Sequence, residues 1–315
     1  MDLRKIITSL DEFKLLENKA RENSLLQTYL FVSEDFNLRQ TFFEEFAKVV
    51  LKNESKVIAK THPDLTLVLD DKILSVESIA NLVSDCYYSP LEADYKLYYI
   101  DDASKLTEEA QNKLLKTIEN PPKSAIFVFG ATSTSSILPT ILSRAFLIII
   151  PKLDNKEIIN YIIANGKTEA EAEILAGIAG GNITKANTLM QDDLMVNLFY
   201  DCLELFKIKS SREVLNFSSK FRAKKYEVNS IFDLTIMIAR DIMMVKSGRE
   251  NLVLNKANLN FYKSIEGEFS LKSLTKIIEN CLNFNKDLTF YVNSLAALDE
   301  FLFNFVEVKV TCKEL

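Results

Sequence analysis

Short apolar runs alternate with amphipathic segments over about the first 150 residues, and this alternation limits the folds open to the chain. The runs lack the strict apolar–polar alternation of a half-exposed strand, which is typical of strands buried on both faces. Between them, segments such as Phe36–Leu51 carry apolar residues at helical spacing. The pattern predicts a parallel sheet with helices on both faces. The predicted strands are Leu30–Val32, Leu65–Leu69, Leu97–Ile100, Ile126–Phe129 and Phe146–Ile150.

The pattern changes at about residue 154, beyond which only helical spacing is found. The first predicted helices there are short and cover Lys156–Asn165, Glu169–Ala179 and Ile183–Met190. Further on, apolar residues recur at helical spacing in longer segments, which indicates a helical bundle. The sequence therefore predicts an α/β domain over residues 1–152, a small three-helix domain over 153–192 and an all-α domain over 193–315.

Charge and cysteine content argue against several classes of protein. The formal net charge is −6, whereas a protein that grips nucleic acid by itself needs a basic face to neutralise phosphates. The four cysteines are far apart in sequence, so a zinc-type Cys-x-x-Cys spacing is missing and we expect reduced core thiols. The amphipathic, acid-containing start is unlike a signal peptide, and no apolar stretch is long and uncharged enough to span a membrane. We therefore expect a cytoplasmic protein.

A phosphate-binding loop would lie between the first predicted strand and the first helix, but the residues there do not fit one. Such a loop needs glycines, whose backbone N–H groups close around a phosphate, and a lysine followed by Ser or Thr. The segment SEDFNLRQ at 33–40 contains neither glycine nor lysine, and Glu34 and Asp35 would repel phosphate. Arg39 stands about where the lysine belongs. The residues in the place of the loop are Ser33, Arg39, Gln40 and Thr41. We predict that this segment neither binds nor hydrolyses a nucleotide.

Polar residues follow two other predicted strands. Asp101 and Asp102 follow the third strand, where P-loop nucleotidases hold a carboxylate that orients magnesium and its water. Acids often end strands, so the pair could instead form a solvated turn or cap the helix predicted over Ser104–Glu119. Thr132 follows the fourth strand, where a polar residue could sense a γ-phosphate or make a local hydrogen bond. The single histidine, His62, has no nucleophile or metal partner near it in sequence, which favours a structural role.

Ser143 and Arg144 end the segment PTILSR at residues 139–144, where the chain re-enters an apolar run. An arginine donated to the γ-phosphate of a neighbouring subunit stabilises transition-state charge, an effect of about 10³–10⁵ in rate for GTPases. Arginine suits this role because its planar fork stays charged and pairs bidentately with phosphate oxygens. A salt bridge at the edge of the sheet is the alternative role for Arg144.

Taken together, four segments in this order and spacing resemble the clamp-loader branch of the AAA+ ATPases. They are HPD at 62–64, LYYIDDASKLTEEAQNKLLKTIENPP at 97–122, PTILSR at 139–144 and GGNITKA at 180–186. The resemblance covers residues 1–190, and it implies an AAA+-type α/β domain, a helical lid domain and a C-terminal collar domain. It also implies a bacterial DNA polymerase III subunit that helps to load a sliding clamp. The implied partners are clamp-loader ATPase and clamp-opening subunits, with the clamp and primer–template DNA contacted mainly through the complex.

The resemblance implies roles at the chemical positions as well. Ser143 and Arg144 match the family's Ser-Arg-Cys motif, whose arginine acts in trans on the ATP site of the adjacent subunit. Ala145 replaces the motif's cysteine, which leaves the positive charge in place. Asp101 and Asp102 match the Walker B position, which is vestigial without a phosphate loop.

Three further positions carry over from the family pattern. Thr132 matches the sensor-1 position, and the loop around Arg39 matches a phosphate loop that has lost its function. Many relatives carry a four-cysteine zinc module before the HPD segment, whereas Leu51–Thr61 contains no cysteine. We therefore expect neither zinc nor ATP as a cofactor.

Other kinds of subunit are open as alternatives. An active motor ATPase is disfavoured by the segment SEDFNLRQ, which cannot cradle a phosphate. The clamp-opening subunit is disfavoured by the intact PTILSR segment, because clamp opening does not require a donated arginine. The resemblance favours a subunit without ATPase activity that lends Arg144 to a neighbour.

Overall fold

A computed structural model describes residues 3–69, 76–137, 139–224, 226–287 and 294–311. The chain forms two compact units. The α/β unit comprises Met1–Glu157 and Asn182–Thr184, and the helical unit comprises Ile158–Gly181 and Lys185–Leu315. The predicted division of the second half into a lid and a collar domain, at about residue 193, stays a prediction.

A five-stranded sheet with the order β2-β3-β4-β1-β5 lies at the centre of the α/β unit. The strands are β1 Thr28–Val32, β2 Leu65–Val68, β3 Lys96–Ile100, β4 Ala125–Ala131 and β5 Phe146–Ile149. All neighbouring pairs are parallel. β1, β3 and β4 are buried along their whole length, as expected for strands covered on both faces. The predicted parallel sheet is confirmed, with small differences at the ends of its strands.

Helices cover both faces of this sheet. They are α1 Leu3–Ser9, α2 Asp11–Arg21, α3 Phe36–Leu51, α4 Glu54–Ile58, α5 Val76–Asp85, α6 Glu108–Glu119 and α7 Pro139–Leu142. On one face, Phe31 of β1 meets Phe42 of α3 with the ring centroids 5.1 Å apart. On the other face, Leu30 of β1 joins Ile79 of α5 and Leu114 of α6 in one buried apolar cluster. Successive residues of β1 thus point to opposite layers of helices.

The segment predicted as one helix over Ser104–Glu119 is two elements. A short 3₁₀ turn covers Ala103–Lys105, and Leu106 is then extended, with φ −68° and ψ 129°. The α-helix α6 begins only after Thr107, whose side-chain oxygen accepts a hydrogen bond from the Ala110 N–H at 3.2 Å. The prediction that the helix starts at Ser104 was therefore wrong, because threonine followed by two acids forms the true N-terminal cap.

From residue 155 onward, all regular elements in the described part of the chain are helical, as predicted. They are α8 Asn155–Ala164, α9 Glu169–Ala179, α10 Ile183–Leu189, α11 Leu194–Leu205, α12 Ser211–Ala223, α13 Val228–Lys246, α14 Leu259–Ile265, α15 Leu271–Asp287 and α16 Ser294–Thr311. The apolar spacing does not predict α12 or α14. The reason is that α12 is rich in polar residues and α14 has only 7 residues.

Phenylalanines form much of the core of the helical unit. Phe232 of α13 packs against Phe301 of α16 with the ring centroids 4.8 Å apart. Phe305, one turn further along α16, meets Phe206 at 5.1 Å. These residues are almost completely buried, so they join α13, α16 and the end of α11 in one core.

The remaining sequence expectations concern thiols and membranes. Cys86, Cys202 and Cys281 are buried free thiols, and Cys312 lies outside the described residues. Over the described ranges, the helices are all too short or too polar to cross a membrane.

Candidate functional site

The connection from β1 to α3, where a phosphate-binding loop would lie, contains a buried aspartate. Asp35 is the N-cap of α3 and is only 3% exposed. Its Oδ1 accepts hydrogen bonds from the Leu38 N–H at 3.1 Å and the Thr184 hydroxyl at 2.6 Å. Its Oδ2 accepts one from the Ile183 N–H. A negative charge is favourable at a helix N-terminus, and here a side chain of the protein supplies it.

Arg39, at the position of the phosphate-loop lysine, turns inward and binds the carboxylate at the end of β3. It is 2% exposed. Its Nε and Nη2 donate to the two oxygens of Asp101, both at 3.3 Å. Its Nη1 donates to the Ser33 carbonyl oxygen at 2.7 Å. The residues predicted for the phosphate-loop and Walker B positions are thus joined to each other by a bidentate ion pair.

A tyrosine completes the contacts of the Asp101 carboxylate. The Tyr99 hydroxyl donates to Asp101 Oδ1 at 2.5 Å. Burial and the adjacent Asp101 carboxylate raise the pKa of Tyr99 well above its ordinary value, so its hydroxyl keeps the proton that it donates. Burial works against the charge of Arg39, but Tyr99 and Asp101 outweigh it and raise the pKa of the guanidinium. The group therefore remains an arginine cation paired with a carboxylate.

Gly130 of β4 makes room for this pair. A Cβ added at Gly130 would lie 2.0 Å from the Asp101 carbonyl oxygen and 2.8 Å from Arg39 Nε. Carbon atoms do not approach backbone this closely, so a side chain at this position would push β3 and β4 apart or displace Arg39. The glycine is thus part of the arrangement that brings Arg39 and Asp101 together.

The other residues of the predicted loop and strand ends have local contacts. The Thr41 hydroxyl donates to the Asn37 carbonyl oxygen of its own helix at 2.8 Å, and Gln40 is half-buried. Asp102 caps the 3₁₀ turn after β3 by accepting from the Ser104 N–H at 3.1 Å. Asp102 therefore makes the local capping contact that was the alternative to a magnesium role, while Asp101 does not. Thr132, at the sensor-1 position, is exposed.

Arg144 lies just beyond α7 at the surface of the α/β unit. Its Nη1 donates to the Thr140 carbonyl oxygen at 3.0 Å and to Ser143 Oγ at 3.2 Å. Its Nη2 pairs with Glu119 Oε1 at 2.9 Å, and the two side chains are 38% and 46% exposed. The alternative role predicted for Arg144, a salt bridge, is thus present.

The salt bridge with Glu119 is too weak to hold Arg144 firmly within its own chain. Solvent-exposed ion pairs contribute about 0–1 kcal/mol to stability, so a phosphate could exchange for Glu119 at little cost. The contact with the Thr140 carbonyl leaves the guanidinium at the surface rather than in the core. The geometry therefore leaves Arg144 accessible to a neighbouring molecule.

The histidine of the HPD segment has a structural role, as the sequence favours. His62 is buried, and its Nδ1 accepts a hydrogen bond from the Asp64 N–H at 3.1 Å. The Asp64 carboxylate accepts from three successive backbone N–H groups, those of Leu91, Glu92 and Ala93. Burial alone would raise the pKa of Asp64, but these hydrogen bonds lower it below its ordinary value. The HPD segment fixes the loop before β3.

Sequence reasoning did not assign a site role to Asp35, Tyr99, Gly130 or Thr184. Asp35 had a visible signal, because an aspartate directly before an amphipathic helix is an N-cap candidate. Thr184 had none, since it is 149 residues away from Asp35 in the chain. Within the described ranges, no group of three or more His, Cys, Asp or Glu residues could hold a metal ion.

Comparison with known proteins identifies relatives over most of the chain. Residues 10–154 match a family described as "DNA polymerase III, delta subunit". The chain is 25% identical over 300 residues to DNA polymerase III subunit delta' of Bacillus subtilis, which covers 89% of this chain and 91% of that one. It is also 26% identical over 238 residues to DNA polymerase III subunit gamma of Buchnera aphidicola from Schizaphis graminum. That match covers 69% of this chain and 64% of the Buchnera protein, which is slightly under two thirds of its length.

A solved structure agrees with the fold. A DNA polymerase III gamma subunit-related protein of Thermotoga maritima superposes with a TM-score of 0.51 at 19% identity, covering 95% of this chain and 100% of that one. At this identity the likeness shows the shared architecture alone. The sequence matches agree with the resemblance carried by the four motif segments. The chain is thus similar to subunits of DNA polymerase III, and the B. subtilis relative that it matches over 91% of that protein's length is a delta-prime subunit.

Proposed function

We propose that this chain acts as the delta-prime subunit of a bacterial DNA polymerase III clamp loader, in the cytoplasm. It supports loading of the sliding clamp on DNA without hydrolysing ATP itself, and it binds neither ATP nor zinc. It joins the gamma/tau ATPase and delta subunits through the collar, residues 193–315, and through its AAA+-type α/β domain. The clamp and primer–template DNA are contacted mainly through the complex.

The observation that carries this proposal is the ion pair between Arg39 and Asp101. Magnesium-assisted phosphoryl transfer needs a free carboxylate at the end of the strand and a lysine that faces the phosphates. Here the cation at the loop position neutralises that carboxylate, and the backbone around Asp35 is engaged with the chain's own side chains. A nucleotide would have to break a buried ion pair, which costs about 3–5 kcal/mol when one partner is left uncompensated.

The second part of the proposal is that Arg144 serves an ATP site on the adjacent gamma/tau subunit. The support is its exposure, its position at the end of PTILSR and its weak partner within the chain, Glu119. A guanidinium can bind the γ-phosphate oxygens of a neighbour bidentately and stabilise the charge of the transition state. Ser143 contributes by accepting a hydrogen bond from the Arg144 guanidinium through its hydroxyl oxygen.

The experiment compares variants in a reconstituted clamp loader whose other subunits are unchanged. Arg144→Ala should slow DNA-stimulated ATP hydrolysis, and it should change the stability of this chain by less than about 1 kcal/mol because the ion pair is exposed. At a single site that depends on a donated arginine, loss of the arginine lowers the hydrolysis rate by a factor of roughly 10³–10⁵. The decrease for the whole complex will be smaller if other ATP sites keep their own arginine. Glu119→Gln is the matched control, since it removes the same ion pair but keeps the arginine.

Normal hydrolysis is expected for Glu119→Gln. An unchanged rate in Arg144→Ala would remove the trans-arginine role. An equal loss in both variants would instead assign the effect to the ion pair within this chain.

A further inference from the structure

The start of α10 is anchored in the α/β unit by a carboxylate of the chain. Residues Asn182–Thr184 belong to the α/β unit, although the residues on both sides of them belong to the helical unit. We propose that Asp35 is a positioning residue that caps α3 and α10 together and fixes Asn182–Thr184 in the α/β unit without a bound nucleotide. This inference rests on the proposed function, in which the site at the start of α3 holds no nucleotide.

The side chains of Asp35 and Thr184 together accept hydrogen bonds from backbone N–H groups in the first turns of α3 and α10. The Asp35 carboxylate accepts from the Leu38 N–H of α3 and from the Ile183 and Thr184 N–H groups of α10. The Thr184 hydroxyl donates to Asp35 Oδ1 at 2.6 Å and accepts from the Asn37 N–H of α3 at 2.9 Å. The first N–H groups of a helix lack partners within the helix, and here two side chains satisfy those of both helices.

The negative charge is what allows one side chain to serve both helices. An ionised carboxylate offers acceptor sites on both oxygens, whereas an amide offers acceptor sites on one and donors on the other. Asparagine is about as good an N-cap as aspartate, so Asp35→Asn keeps the single contact that α3 needs. If the amide oxygen keeps the place of Oδ1, which accepts from Leu38 and Thr184, the amide nitrogen meets the Ile183 N–H and cannot accept from it. Asp35→Asn should therefore loosen the start of α10 and leave α3 capped.

Hydrogen–deuterium exchange of the full chain, resolved at individual amides, tests this proposal. Hydrogen bonds to charged groups contribute about 1.5–3 kcal/mol, so exchange at Ile183 should rise roughly tenfold to a hundredfold in Asp35→Asn. Thr184→Val removes the hydroxyl at nearly constant volume and should raise exchange at Asn37, whereas Thr184→Ser should retain the wild-type protection. Thr107→Ala removes an unrelated N-cap and should leave exchange at the start of α10 unchanged.

Unchanged protection of Ile183 in Asp35→Asn would overturn the proposal, as would equal exchange at Asn37 in Thr184→Val and Thr184→Ser. Magnesium-ATP separates this inference from the proposed function on which it rests. If ATP alters exchange around Asp35 in the wild type, the nucleotide-free site is refuted, while the comparison of variants without ATP still reports on the anchor.

Discussion

Arg39 decides what the β1–α3 connection can do. A lysine on a glycine-rich loop would face the phosphates of a nucleotide, but the longer, forked guanidinium reaches Asp101 and binds both of its oxygens. The residue that would attract a nucleotide thus neutralises the carboxylate that would hold its magnesium. In the proposed function, this one arginine accounts for the absence of both nucleotide and magnesium binding.

Substitution of Arg39 should reveal the strength of this pair. Arg39→Ala leaves the Asp101 carboxylate buried without its counter-charge and should lower the free energy of unfolding by about 3–5 kcal/mol. Adding Asp101→Asn should restore part of that loss, because the uncompensated charge is removed while Tyr99 keeps an acceptor. Chemical denaturation followed by circular dichroism measures both variants. Additive losses in the double variant would contradict the claim that the two side chains stabilise each other.

The sequence predicts which residues belong to this site, but it does not predict which of them contact each other. Arg39 and Asp101 are predicted from their positions relative to the strands, but the ion pair between them joins residues 62 apart in the chain. Such pairing depends on how closely β3 and β4 approach, and Gly130 sets that approach. The link from Asp35 to Thr184 depends on where α10 begins in space, which no local pattern encodes.

At the scale of elements, the sheet is the part that the sequence predicts best. Strands buried on both faces are continuous apolar runs, so their residue type alone marks them. The start of α6 is predicted less well, since Leu106 is buried like a helical core residue although it is extended. Helical periodicity detects apolar faces and misses α12, whose sequence is largely polar.

Gly130 gives a test of the packing of β4 against β3. Gly130→Ala should lower the free energy of unfolding by about 3 kcal/mol or more, because the added Cβ would overlap the Asp101 backbone. Gly267→Ala is the control, since an added Cβ there meets no atom within 4 Å, and it should change stability by less than about 0.5 kcal/mol. Denaturant unfolding compares the two. Equal, small effects would show that β3 and β4 can separate to admit a side chain.

At the scale of the whole molecule, a parallel α/β sheet is combined with contacts between the chain's own side chains at the predicted phosphate-loop position. The match to a delta-prime subunit extends through both compact units, so the α/β unit is not an isolated remnant. The proposed role requires an accessible arginine and a binding surface, and it does not require a catalytic cycle in this chain. Its proposed function follows from that combination.

Equilibrium binding of fluorescent ATP with magnesium to the isolated full-length chain tests the central claim most directly. The buried pair of Arg39 and Asp101 and the engaged carboxylate of Asp35 predict no saturable binding, with any dissociation constant weaker than about 1 mM. An active clamp-loader ATPase, titrated in parallel, shows that the probe reports binding. Saturable binding of this chain at micromolar concentration would contradict the account, because it would show that a nucleotide displaces these contacts.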